Sequence, residues 1–138
     1  MTQTQIEEFL EAPRHAIVGT NRRDGPPQLS PVWYLYEEGR FYIGILAATA
    51  KYRNLRRDPR ISLCVDGGHP DARTVMIYGS AELIEAETPW RDEMIWRIIR
   101  RYHESDEDAR RYREKASEWG RTALIVVTPE KIISQDFN

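Results

Sequence analysis

The sequence predicts a mainly β, α+β chain in which an antiparallel meander closes on itself as a small barrel flanked by helices. Three observations carry this expectation. Strand-length apolar runs alternate with Gly- and Pro-rich turns from residue 15 to 85. Between residues 88 and 119 the apolar spacing changes to three- and four-residue steps. Strand-like runs then return to the end of the chain, so the helical pair is inserted into one sheet system and does not form a second domain. With no internal repeat and no low-complexity linker, residues 1–138 are expected to be one domain.

The elements follow in order. "TQIEEFL", Thr4 to Leu10, carries a Thr-x-x-Glu capping box and places Ile6, Phe9 and Leu10 at helical spacing. "HAIVGTN" runs to a turn at "RRDGPP", "QLSPVWYLY" to a turn at "EEGR", and "RFYIGIL" ends before a short helix that Thr49 caps and Pro59 stops. "RISLCVD" is the next strand. The loop "GGHPDAR" separates it from the long strand "TVMIYGSAELIE", whose internal Gly79 marks a bulge or a close approach by another group. Thr88 caps and Pro89 opens a helix that lines up Trp90, Met94, Ile95, Ile98, Ile99 and Tyr102 on one core-facing side. Ser105 and Asp108 start a second helix with a narrower stripe of Ala109, Tyr112, Ala116 and Trp119, ended by Gly120. "TALIVVTP" and "EKIISQDF" are the closing strands.

Composition narrows the function classes. A chain 41% hydrophobic and 30% charged is typical of a soluble globular domain, and its strand-sized apolar runs predict neither a membrane span nor an export signal, making the cytoplasm the expected compartment. One cysteine, Cys64, excludes an internal disulfide and reads as a buried strand filler. The formal net charge of −2 argues against nucleic acid as a partner. His15, His69 and His103 stand at no metal-ligand spacing, and no nucleophile elbow, Walker loop or Gly-x-Gly-x-x-Gly turn is present. Chemistry, if any, is expected from a bound cofactor.

"ATAKYRNLRRDPR", Ala48 to Arg60, is the anomaly. Thr49 to Arg60 holds five basic residues and one acid, and Lys51 and Arg53 lie early in the helix, where backbone N–H groups already carry positive charge. A phosphate cradle built from Thr49, Lys51 and Arg53 resolves this placement; a solvated basic helix face is the alternative. Just upstream, Ser30, Val32, Tyr34 and Tyr36 alternate with Leu29, Pro31, Trp33 and Leu35, putting aromatic groups on both faces of one strand. Such a strand lines a flat ligand, or else supplies core and dimer-interface residues.

These two stretches carry a resemblance. Residues 16–81 are similar to the N-terminal half of the pyridoxamine 5'-phosphate oxidase-like split-barrel flavoproteins: strand, Asp-Gly turn, Pro-x-Trp strand, strand, Lys-x-Arg-Asn-Leu helix, Asp-Pro-Arg, strand. Ala50-Lys51-Tyr52-Arg53-Asn54-Leu55, followed by Asp58-Pro59-Arg60, resembles the branch that uses the deazaflavin F420. The resemblance implies a six-stranded antiparallel split β-barrel with flanking helices, of the FMN-binding split-barrel type, that forms a homodimer with its cofactor at the subunit interface. By the same resemblance Ser30, Pro31, Val32 and Trp33 run beside the ring, and Ile43, Gly44 and Ile45 line the next wall. Thr49, Ala50, Lys51 and Arg53 hold the phosphate, Asn54 braces the helix or that contact, and Met76, Tyr78 and Gly79 approach from the partner subunit. One departure is that many members of the deazaflavin branch have a Gly-rich turn where this chain has "LAAT".

The implied activity is hydride transfer from reduced F420, or alternatively from reduced FMN, to a small electrophilic substrate. F420 continues beyond its phosphate into a glutamate tail, and Arg56, Arg57 and Arg60 are candidates for that extra charge. No residue stands out as a catalytic proton donor. A carrier or sensor that binds flavin, deazaflavin or haem without turnover is the alternative from another class.

Overall fold

The computed structural model describes residues 1–138 as one seven-stranded antiparallel sheet with four helices. The elements are α1 (Gln3–Glu11), β1 (Ala16–Thr20), β2 (Gln28–Val32), β3 (Leu35–Glu37), β4 (Arg40–Leu46), α2 (Ala50–Arg57), β5 (Arg60–Asp66), β6 (Arg73–Ile84), α3 (Pro89–Arg101), α4 (Asp106–Ala116) and β7 (Thr122–Asp136), with a 3₁₀ turn at Ser117–Trp119 before β7. Strand order is β2-β1-β5-β6-β7-β4-β3. Because β2 and β3 are joined through Trp33 and Tyr34 yet lie at opposite ends of that order, the sheet must curl back on itself, which makes it a split barrel.

The strand count is seven where the resemblance implies six, and two of the runs read in the sequence are redrawn. The run expected as one strand, residues 28–36, breaks after Val32. Tyr34 turns its ring into the core at full burial, and its hydroxyl donates to the carbonyls of Leu10 (3.1 Å) and Ala12 (3.4 Å). Its backbone N–H is taken by the Tyr102 hydroxyl (3.1 Å), so it makes no ladder bond there. Conversely, the two closing strands are one. β7 continues through Pro129 because that residue sits opposite Gly79 at the register shift of β6, beyond the last β4 partner, Phe41↔Val127.

Helix α1 also begins earlier than expected. The capping box is Thr2 with Gln5: Thr2 Oγ1 accepts from Gln5 N–H (3.2 Å), and Gln5 Oε1 accepts from Thr2 N–H (2.8 Å). Glu7, the expected box partner of Thr4, instead accepts from Gln3 Nε2 one turn away (3.0 Å). The apolar stripe of Ile6, Phe9 and Leu10 is unaffected and seals the barrel end.

Two packed layers result. Val18, Phe41, Ile43, Leu63, Val75 and Ile125 fill the barrel with α1 and with Tyr52 and Leu55 of α2. On the outer face of β4 and β7, Tyr42, Leu124 and Val126 are covered by Met94 and Ile98 of α3. None of the helices is long and apolar enough to cross a membrane.

Burial pushes the Tyr34 hydroxyl up to about 12, with the neighbouring Arg101 opposing the shift. The unfolded chain ionises this group near 10, so its contribution is intact below pH 10 and disappears as pH rises through 12. We expect roughly 2 kcal/mol of stability to be lost over that interval from Tyr34. Denaturant melts at pH 8 and pH 11.5 check this: Tyr34→Phe is expected to be less stable than the parent at pH 8, with the gap closing at pH 11.5.

Candidate functional site

A cleft of about 330 Å³ opens where the end of β2 faces the outer side of β4, and helices α3 and α4 form its opposite wall. Pro31, Val32 and Trp33 come from β2 and its following bend, and Gly44, Ile45 and Leu46 come from β4. A Cβ on Gly44 would point toward α3, 3.9 Å from Ile95 Cγ1, so any larger side chain there takes space from the cleft. Tyr112 and Trp119, from the narrow apolar stripe of α4 and the turn after it, close the side. Ile95, Ile98 and Ile99 of α3 line one wall of the cleft. Arg91 near the start of that helix donates to the Thr122 carbonyl, and Tyr102 just past its end stacks on Trp33, about 16 Å of helix rise apart.

The Trp33 end is aromatic and held rigidly. Trp33 and Tyr102 stack with centroids 4.8 Å apart and planes 8° from parallel, Tyr112 lies 4.9 Å away at a tilt, and His103 meets the indole edge-on. The Tyr102 hydroxyl donates to the Arg14 carbonyl (2.6 Å). Beside it the Arg101 guanidinium donates to four carbonyls: Tyr34 (2.7 Å), Glu11 (2.6 Å), Ala12 (2.9 Å) and Leu10 (3.1 Å). One side chain thus satisfies the C-terminal carbonyls of α1 and anchors the β2–β3 bend that carries Trp33. Burial raises the pKa of Tyr102 and of Tyr112, which keeps both hydroxyls neutral.

The opposite end is cationic. Thr49 is the N-cap of α2, but its hydroxyl donates to the Leu46 carbonyl (2.7 Å) and caps nothing, so the first-turn N–H groups have no side-chain acceptor. Lys51 lines the cleft half-buried, with no carboxylate within 4.0 Å and no hydrogen bond, and burial lowers its pKa. Arg53 is exposed and donates back to the Ala48 carbonyl (3.0 Å). The remaining cations of this helix are engaged elsewhere in the fold. Arg56 bonds the Tyr52 hydroxyl (3.2 Å) and pairs with Glu85, Arg57 donates to the Asn21 carbonyl, and Arg60 forks onto Asp58. Those bonds from Arg60, with one from Asn21, hold the Asp58 carboxyl well below the usual carboxylate range.

Of the residues singled out in the sequence, the structure brings Pro31, Val32, Trp33, Gly44, Ile45, Thr49 and Lys51 to one cleft. Ala50 and Arg53 stand beside it on α2. Ile43 faces the barrel core, fully buried, because its β4 neighbours Tyr42 and Gly44 point the other way. Asn54 is buried under α2 and donates to Thr20 Oγ1 (3.1 Å), tying the helix to β1. Ser30 lies outside the lining, yet its Oγ is buried without a hydrogen-bond partner. Met76, Tyr78 and Gly79 lie on β6, away from this cleft, and Gly79 is required by the backbone of β7. His15, Ile95, Tyr112, Trp119 and Thr122 were not picked out as site residues. The one sequence signal for them was the narrowness of the α4 stripe, too thin for a helix with a fully covered face.

The arrangement suits a ligand with a flat ring at one end and an anionic group at the other. The unpaired Lys51 ammonium and the open first turn of α2 supply the anion's partners, while Trp33 and the small Gly44 leave a slot for the ring. Known proteins share the family and the fold. Residues 2–136 match the family model described as pyridoxamine 5'-phosphate oxidase. A hypothetical protein of Mycobacterium tuberculosis, Rv2991, is similar over 99% of this chain and 85% of its own, with 26% identity and a TM-score of 0.77. An F420 reductase superposes over 92% of this chain and 94% of its own at 22% identity and a TM-score of 0.69. An FAD-binding protein of Mesorhizobium loti does so over 97% and 92%, at 16% identity and a TM-score of 0.70.

Proposed function

The chain belongs to the pyridoxamine 5'-phosphate oxidase family of flavin-binding split-barrel proteins, and from that premise we propose that it is an oxidoreductase using reduced deazaflavin F420 on a small electrophilic substrate. The observation that carries the proposal is Lys51, a half-buried ammonium without a partner at the open N-terminus of α2. An unpaired cation is costly to hold partly out of water, and an anionic ligand offsets that cost.

When bound, the reduced cofactor supplies a hydride. The chain's own residues do the rest. Lys51, Arg53 and the first-turn N–H groups hold the phosphate, Trp33 and Gly44 shape the ring slot, and the apolar α3 and α4 side chains exclude water. The Ala50–Leu55 string and the structural likeness to an F420 reductase support deazaflavin. FMN is the second reading, favoured by one finding. With Arg56, Arg57 and Arg60 engaged internally, Lys51 and Arg53 remain for the anion, a charge matched to a single phosphate.

A second copy of the chain belongs to this proposal. Leu29 and Tyr78, 66% and 44% exposed, stand in one row across the outer sheet face with Gly19 and Ser62 between them. Light scattering is expected to give a dimer, and a monomer would remove Met76 and Tyr78 from the site.

Anisotropy titration of the purified protein with F420 and FMN at two salt concentrations tests the main reading. Tighter F420 binding that weakens with salt is the expected result. Tighter FMN binding transfers the activity to flavin, and binding of neither overturns the proposal.

A further inference from the structure

Arg91 is the only charged residue buried in the fold. Its side chain is 4% exposed, whereas its carboxylate partner, the adjacent Asp92 (3.1 Å), is 66% exposed, so water screens the pairing from outside. Its Nε is buried with no hydrogen-bond partner. A guanidinium held this way keeps much of its charge unanswered. Beyond Asp92 it grips one residue: Nη2 donates to both the carbonyl and the hydroxyl oxygen of Thr122, at the start of β7.

That grip decides what the Thr122 hydroxyl can do. Its oxygen accepts from Arg91, and its own hydrogen has no acceptor within the fold. A hydroxyl whose oxygen accepts from a cation is a stronger donor. Thr122 lines the cleft at its cationic end, where β7 and the approach to α2 are tied twice. It pairs with Leu46, whose carbonyl takes the Thr49 hydroxyl (2.7 Å), and the Ala47 N–H donates to the Arg121 carbonyl (2.8 Å). No carboxylate lines the cleft, so an anion placed there meets donors without a repelling charge.

Resting on the cofactor reading above, we propose that Thr122 is a phosphate-binding residue of the cleft, donating its hydroxyl to a phosphoryl oxygen, and that Arg91 is the positioning residue that leaves this hydroxyl free and adds positive charge behind it. Arg91 does not itself line the cleft and acts through Thr122. A pair that only ties α3 to β7 answers to stability; a pair that serves the ligand answers to the phosphate.

The test measures affinities by anisotropy for two cofactor pairs, FMN with riboflavin and F420 with its unphosphorylated core, 8-hydroxy-5-deazariboflavin. The quantity read is the ratio of affinities within each pair, and the pair whose ratio responds shows which phosphate ester the site takes. In Thr122→Val, which keeps the branched shape, the ratio is expected to fall about 10-fold while affinity for the core stays within about twofold. Thr122→Ser restores the hydroxyl and is expected to keep the parent's ratio. Arg91→Lys keeps a charge but cannot fork onto both Thr122 oxygens, and a fall of about threefold is expected.

If Thr122→Val keeps the parent's ratio while Lys51→Ala lowers it, the assignment of Thr122 is overturned and the cofactor reading stands. An unchanged ratio in Arg91→Lys returns Arg91 to the fold alone. A variant that loses the core as severely as the phosphorylated cofactor overturns the assignment of its own residue. If the parent binds each phosphorylated cofactor no tighter than its core, or binds neither pair, the phosphate reading of Lys51 fails together with this one.

Discussion

Lys51→Ala is expected to weaken cofactor binding by about 10- to 100-fold, the loss of one charge-assisted contact to a phosphate, while the melting temperature of the ligand-free protein stays level or rises. The second half of that expectation distinguishes a binding lysine from a structural one. Burial lowers the Lys51 pKa and no carboxylate or carbonyl compensates, so the ammonium makes folding less favourable. For a base whose folded pKa is depressed, this cost is present below the folded pKa and relieved as pH rises through it. Removing the charge removes the cost. The salt dependence of binding should flatten in the variant, and Lys51→Arg should keep part of the affinity because the charge persists. Anisotropy titrations at two ionic strengths, with thermal melts of the same samples, check all three. A variant that melts well below the parent would mean that Lys51 serves the fold.

Gly79→Ala is expected to cost about 3 kcal/mol, a drop of roughly 10 °C in melting temperature, or to prevent folding outright. A Cβ on Gly79 would stand 2.2 Å from the Thr128 carbonyl oxygen and 3.0 Å from the Pro129 Cα. Both obstacles are backbone of β7, which cannot rotate away as a side chain would. Relief would require pulling β7 from β6 at the register shift, where Gly79 pairs with Pro129. Gly68→Ala is the comparison. Gly68 has φ of +78° but nothing within 4 Å of the added carbon, so it is expected to lose only about 1 kcal/mol of backbone preference. Parallel thermal melts of the two variants check the contrast; equal losses would show that the close approach of β7 is not what demands glycine at 79.

The two variants separate what serves the ligand from what serves the barrel, a distinction the resemblance alone blurred. Met76, Tyr78 and Gly79 had been grouped as one cofactor approach, yet Gly79 answers to β7, and Met76 and Tyr78 lie on β6, outside this chain's own cleft. Asn54 likewise answers to the fold, since it is buried and bonded to Thr20. Lys51 has no protein partner, and for that reason the proposed function gives it to the ligand.

Local chemistry decided a good deal without tertiary help. Apolar period and cap residues specified α3 and α4, with Thr88 and Ser105 each accepting a backbone N–H as their spacing required. The split barrel and its cleft were expected only through the resemblance that the Pro-x-Trp strand and the Lys-x-Arg-Asn-Leu helix carry, whereas the helices and the bulge at Gly79 were read locally. These features were legible because caps, turns and apolar period act between residues a few positions apart. The cap of α1 was misplaced by two residues because Thr2 and Thr4 each stand three residues before a Gln or Glu, and the folded chain makes the reciprocal bonds between Thr2 and Gln5 while Glu7 pairs with Gln3. What only the tertiary structure decided is which cations are free and which side chains meet. Arg57 reaches the carbonyl of Asn21, Arg56 meets Glu85 through Tyr52, and Thr122 comes into the grip of the buried Arg91. Each of those meetings joins residues far apart in the chain, so it exists only after the sheet has curled and α3 has docked across β4, and no local pattern encodes that closure.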